Sequence, residues 1–138
     1  IIGYGHWRCM APDHWIFDGT NMEFGEEIRG LIGTEYHHDP ADIPGLVRVA
    51  YGYTDPRRSP ATEKYDGRGQ YTSSVYEIND GKTFVFSAST FWWTDGLSSP
   101  PGHKMSPKGY NERKPDRRVK KITQNILDRM ANAEPISK

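Results

Sequence analysis

The sequence predicts an α/β domain, built around a β-hairpin and closed by a C-terminal amphipathic helix. Three observations carry this. Tyr71 to Ile78 and Thr83 to Thr90 are strand-like runs joined by Asn79-Asp80-Gly81-Lys82, a strong hairpin turn. Val119, Ile122, Ile126, Leu127 and Met130 recur at helical spacing behind Pro115-Asp116, with Asp116 as the cap. Leu46 to Tyr53 is β-branched and aromatic, as a strand requires.

In chain order, residues 1–20 read as irregular, with His6-Trp7 and Asp13-His14-Trp15 in loops around Pro12. Asn21 is expected to cap a short helix at about 22–29, because Glu23, Glu26 and Glu27 would lie near its positive end and Gly30 would stop it. Residues 31–36 read as a short strand with Glu35 near its end. Pro40 and Pro44 punctuate a loop before the 46–53 strand, and 55–69 is an exposed excursion. In the hairpin Phe84, Phe86 and Ala88 share one face, opposite Thr83, Val85 and Ser87. Trp92 and Trp93 follow in an extended segment, facing opposite ways. A Pro/Ser/Gly loop then runs to about 111. The 119–130 stripe predicts core packing rather than a cofactor site.

At 138 residues the chain is expected to be a single domain, 1–138, belonging to a larger chain or assembly. Its start, Ile1-Ile2-Gly3, reads as processed or truncated. Apolar residues make up only 35% of it, which points to a core completed by a partner. No run of eighteen apolar residues is present, so no membrane-spanning helix is expected. Cys9 is the single cysteine; it excludes an internal disulfide and favours a reducing, cytoplasmic setting. Net charge is zero but uneven: residues 1–45 are acidic and residues 104–121 basic, so the two ends should attract. Neutral pI and the lack of aromatic interleaving in the basic stretch argue against nucleic acid as a partner.

Chemistry concentrates between Asp13 and Asp39. Asp13-His14-Trp15-Ile16-Phe17-Asp18 and Gly33-Thr34-Glu35-Tyr36-His37-His38-Asp39 bring together three of the five histidines, several carboxylates and aromatic side chains. Imidazole and carboxylate move protons near neutral pH, and aromatic walls shift their pKa values. Glu35, His37 and His38 are the candidate catalytic residues. His14, Trp15, Tyr36 and Trp92 are candidates for substrate contact. Structural readings stand beside each: Glu35 as an N–H acceptor, His14 as a hydrogen-bonded structural histidine, and at most one of His37 and His38 facing a pocket.

The order of His14-Trp15-Ile16-Phe17-Asp18-Gly19-Thr20, Ile32-Gly33-Thr34-Glu35-Tyr36, Gly81 to Trp92 and Arg118 to Leu127 resembles the C-terminal region of the N,N-dimethylformamidase large (beta) subunit family, over roughly residues 13–130. The resemblance implies the C-terminal portion of a class I glutamine amidotransferase-like domain. It also implies part of an amidohydrolase that hydrolyses a small amide to a carboxylate and an amine. The implied iron is held by tyrosines and a glutamate upstream of the matched region, so none of these ligands is carried onto this chain. Implied partners are a small amide substrate and the remaining portion or other subunits of the amidase. Glu35 matches the glutamate of the family's Gly-x-Glu motif. His37 and His38 stand where relatives often have Asp and Gly, and Asn21 where they often have a further glycine. The alternative is a non-catalytic domain of the same fold that binds carbohydrate or a partner protein. Burial of Glu35 beside a cleft, or its exposure on a rim, separates the two.

Overall fold

The computed structural model describes residues 3–33, 35–39, 42–54, 69–79, 81–99 and 114–132. Five strands lie among them: β1 (Tyr4–Arg8), β2 (Glu27–Gly33), β3 (Leu46–Tyr53), β4 (Gln70–Ile78) and β5 (Thr83–Ser87). The helix α1 (Arg117–Ala131) follows, and two short 3₁₀ turns occupy Trp15–Phe17 and Phe91–Gly96. Every strand pairing among the described residues is antiparallel: β1 with β2, and β3-β4-β5 in order. The expected α/β architecture is therefore seen as mixed strands with a C-terminal helix and a hairpin, without a parallel pair in the described part.

Two isolated bridges join the sheets into one curved wall. Cys9 pairs with Ala50 beside a 2.9 Å bond from Met10 N–H to the Val49 carbonyl, which links β1 to β3. Tyr36 pairs with Thr90, which links the extensions of β2 and β5. The order thus runs β2-β1-β3-β4-β5 and back to the residues after β2, in the manner of a small barrel. Trp7, Ile32, Val49, Tyr71 and Val75 are fully buried inside it, together with Val119 and Ile122 of α1.

The β3 strand matches the expected 46–53 run, and β4 and the start of β5 match the hairpin arms. The hairpin turns on Asn79 at φ 54°, and Lys82 N–H reaches the Asn79 carbonyl at 3.1 Å. Strand pairing ends at Ser87, short of the expected Thr90. Phe84 and Phe86 face inward, half-buried, while Val85 is 62% exposed, as the alternation required. The helix spans 117–131, capped by Asp116, whose carboxylate accepts Arg118 N–H at 2.8 Å. Val119, Ile122 and Ile126 are buried, but Leu127 and Met130 stay 54% and 51% exposed, so the seat of the helix ends a turn earlier than the stripe suggested. The attraction between acidic and basic halves is realised where Arg118 pairs with Glu26.

Three expectations are corrected. No helix forms at 22–29: Asn21 takes φ 57°, a turn occupies Phe24 and Gly25, and β2 begins at Glu27 because its backbone pairs with β1. Long-range pairing overrides the local capping signal. Residues 1–20 are not all irregular. In β1, Gly5 and Trp7 face the core while Tyr4, His6 and Arg8 face outward. Finally, Trp92 and Trp93 are not in an extended segment but in a 3₁₀ turn capped by Thr90, whose hydroxyl accepts Trp92 N–H at 3.1 Å. Of the excursion expected at 55–69 only Gly69 is described, and Asp80 and residues 100–113, where most of the expected loop to about 111 falls, lie outside the described residues.

Candidate functional site

The segment 35–39 crosses from the end of β2 toward β4 and β5. Its backbone is tied on two sides. Phe91 N–H donates to the Glu35 carbonyl at 3.4 Å, His37 N–H to the Ser89 carbonyl at 3.3 Å, and Thr72 N–H to the His37 carbonyl at 2.9 Å. Extended pairing alternates the side chains. Glu35 and His37 are accordingly exposed on the outer side, and Tyr36 is buried between them. The Tyr36 phenol accepts a 3.4 Å bond from the Thr54 hydroxyl. It is a core residue and lines neither of the two hollows described below.

His38 ends this run on the wall of a groove of about 590 Å³, lined also by Met10, Asp39, Arg48, Tyr51 and Gln70. Its Nδ1 lies 2.9 Å from the Thr72 hydroxyl, which is buried, and its ring centroid 6.4 Å from that of Tyr51. The hydroxyl therefore orients the ring. Between the two histidines, the structure places His38 in the groove.

His14 and Trp15 belong to a different neighbourhood. The Trp15 indole donates to Glu77 at 2.6 Å, Phe84 meets it edge-on at 5.0 Å, and the Arg129 guanidinium lies 4.4 Å over its ring. Arg129 also reaches the Gly81 carbonyl at 3.0 Å, so it fastens α1 to the hairpin. His14 caps the first 3₁₀ turn by accepting Ile16 N–H on Nδ1, and its Nε2 is buried without a hydrogen-bond partner among the described residues. Burial pushes the His14 pKa down; Glu77 opposes this, Arg129 adds to it and Asp18 opposes it. Trp92 is buried, stacked on Tyr4 at 5.2 Å. It lies so close over Gly33 that a β-carbon there would sit 2.0 Å from the indole, which is why that position is glycine. Of the seven residues expected at the site, His38 lines the groove, Glu35 and His37 share the outer face of the same segment, and His14, Trp15, Tyr36 and Trp92 pack elsewhere.

The groove continues past Met10 and Tyr51 into a second hollow of about 380 Å³ between β1 and β3. Sequence reasoning missed its residues. Tyr51 donates to the Tyr53 hydroxyl at 3.0 Å, and Gln70 donates to both phenols at 3.2 Å. The donated bond raises the Tyr51 pKa, while bonds received from Tyr51 and Gln70 lower that of Tyr53. Tyr71 reaches from β4 across the bare Gly52 of β3 to β1, and burial pushes its phenol well above the usual range. Period-two alternation along β3, which puts Tyr51 and Tyr53 on one face, was the available signal.

Among the described residues no three His, Cys, Asp or Glu side chains come together as a metal-ligand set, and no helix is long and apolar enough to cross a membrane. The pattern from residue 2 to residue 111 matches the family described as N,N-dimethylformamidase beta subunit-like, C-terminal. The chain belongs to that family. No curated protein and no solved structure matches it. Within this N,N-dimethylformamidase beta subunit-like chain, the matched span takes in all five strands and both hollows but stops short of α1.

Proposed function

We propose that this chain is part of a cytoplasmic, metal-dependent amidohydrolase that splits a small, dimethylformamide-like amide into a carboxylate and an amine. The family supports the reaction class. The observation that carries the site is His38, oriented by Thr72 on the groove wall beside Arg48, Tyr51 and Gln70. Amide hydrolysis needs a proton removed from water and one delivered to the departing amine. An imidazole with one nitrogen held and the ring on a groove suits that transfer. Among the described residues no three His, Cys, Asp or Glu side chains form a metal-ligand set. In this reading the iron sits on ligands outside them, in a glutamine amidotransferase-like domain that this chain completes, and no step here is routed through it. Glu35 serves as the acid-base residue where the rest of the enzyme covers its exposed face.

Replacing Glu35 by Gln, His38 by Asn and His37 by Asn in the assembled enzyme tests this. His38→Asn should lower amide turnover by about 10²–10⁴ and His37→Asn hardly at all, with metal content unchanged. Glu35→Gln should fall by a similar factor if its carboxylate takes a proton. Parental turnover in all three variants would remove the segment from the chemistry.

One observation favours the second reading, a binding domain without catalysis. Glu35 is exposed, and the Tyr51–Tyr53 pair with Gln70 offers ring faces and hydroxyls that suit a sugar. Saccharide binding lost in Tyr53→Ala, in a protein that turns over no amide, would establish it.

A further inference from the structure

The two hollows share a wall. Met10 and Tyr51 line both the groove beside His38 and the hollow between β1 and β3. Along that wall the rings run in series: His38 lies 6.4 Å from Tyr51, and Tyr51 meets Tyr53 edge-on at 5.7 Å. Alternation along β3 puts both phenols on one face, with only Gly52 between them. Gln70 of β4 fixes their tips by donating to each hydroxyl at 3.2 Å. Phe24 lines the far hollow and is 64% exposed. Its turn is held, because Gly25 N–H donates to the Cys9 carbonyl at 2.8 Å and Glu26 N–H to that of Glu23 at 3.1 Å. A ring left so exposed contributes little burial to folding. On the lip of a hollow it is contact surface for a ligand.

Size and lining indicate what fills this run. The groove holds about 590 Å³ and the adjoining hollow about 380 Å³. Dimethylformamide has only a handful of non-hydrogen atoms and would occupy the stretch beside His38 alone. The far hollow offers the Tyr51, Tyr53 and Phe24 rings and the Met10 thioether, which suit an aromatic guest in edge-to-face or offset contact. Its charged lining residues, Arg8 and Glu27, are opposite in sign, which favours a neutral group. We infer that the site also hydrolyses N-aryl amides, with the reacting carbonyl beside His38 and the aryl group lying past Met10 and Tyr51 against Tyr53 and Phe24; this rests on the amidohydrolase reading above. N-methylformanilide, which is dimethylformamide with one methyl exchanged for phenyl, is the simplest such substrate. The oxygen of water bonds to its formyl carbon and the C–N bond breaks. The nitrogen leaves with a proton from that water, giving formic acid and N-methylaniline. His38 handles the proton, while Phe24 and Tyr53 bind the ring and take no part in the bond changes.

The assembled enzyme is given N-methylformanilide and N,N-dimethylformamide in parallel, and kcat/KM is measured for each. Intrinsic reactivity of the two amides is the same in every variant, so a change in their ratio reports the ring contacts. Phe24→Ala and Tyr53→Ala should each lower the anilide-to-dimethylformamide ratio about tenfold, chiefly through KM for the anilide. Tyr53→Phe keeps the ring, loses the hydroxyl and should hold the parental ratio. A parent that turns over dimethylformamide but not the anilide overturns the inference. So does a ratio unchanged in both alanine variants, or a loss shared equally by the two amides. Binding is read separately from the ¹⁹F resonance of 4-fluoro-N-methylformanilide, which should shift with the parent and less with Phe24→Ala. If the parent hydrolyses no amide, the amidohydrolase reading falls, and this titration alone decides the aryl site. A response weakened in Phe24→Ala keeps that site; silence, or a response indifferent to Phe24, removes it.

Discussion

His14 shows how one buried nitrogen sets a pH response. Its Nδ1 accepts Ile16 N–H, its Nε2 is buried without a partner among the described residues, and burial holds its pKa below the usual histidine value. The unfolded chain, with a histidine pKa near ~6.5, therefore binds the proton first as pH falls. Stability is insensitive to His14 above that value and declines as pH drops from it toward the lower folded pKa. His14→Asn keeps an oxygen for the Ile16 N–H and removes the titrating ring. In urea unfolding between pH 7.5 and 5, the variant should lose less stability than the parent on the acid side. A parallel decline in both would show that His14 does not titrate in this window. The same residue illustrates what a side chain's type conceals. Histidine beside tryptophan suggested a substrate contact, yet the ring caps a turn, and Trp15 is occupied by Glu77, Phe84 and Arg129.

At the scale of elements, α1 is seated by three buried aliphatic residues and capped by Asp116, with Arg118 and Arg129 tying it to Glu26 and the hairpin. Ile122 is fully buried, so Ile122→Ala should cost about 2–5 kcal/mol. Asp116→Ala removes the N-cap and leaves Arg118 with Glu26 alone, for about 0.5–2 kcal/mol. Leu127→Ala, on the exposed shoulder, should change isolated-chain stability little. Chemical denaturation of the three variants ranks them, and a Leu127→Ala loss as large as that of Ile122→Ala would contradict the packing described. These elements were legible because their signals are local: a period of 3.6 in 119–130, an Asn-Asp-Gly-Lys turn, a β-branched run at 46–53. The β1 and β2 strands were not. Gly5 and His6 in one, and Glu27 and Gly30 in the other, are poor strand formers, placed there by the ladder between them and by contacts from Tyr71. His38 was legible as a residue type, but its orientation by Thr72, thirty-four residues away, depends on how the strands close.

For the whole molecule, the sparing use of aliphatic residues leaves apolar surface outside. Phe24, Phe91, Val85, Leu127 and Met130 are all more than half exposed. Where such side chains form a contiguous patch, they mark a surface that meets a partner. The family name, a beta subunit, agrees with that. Expressed alone, the 15.8 kDa chain should associate or bind apolar dyes, and with the remaining amidase components it should form one stable hetero-complex. Light scattering and intact mass check this, and a monodisperse, well-folded monomer that ignores the other components would count against it.

The closure of the wall at Tyr36 and Thr90 has a consequence for how the protein opens. That seam joins segments more than fifty residues apart through few backbone bonds, so closing it costs loop entropy that the hairpin does not pay. Seams closed by few backbone bonds can open locally in the native state. The residue pinned to it is His37, whose N–H and carbonyl both bond to Ser89, and His38 follows it in the chain. Breathing of the seam is then breathing of the groove wall, and a partner that clamps 35–39 against 89–91 would sharpen the site without touching the imidazole at all.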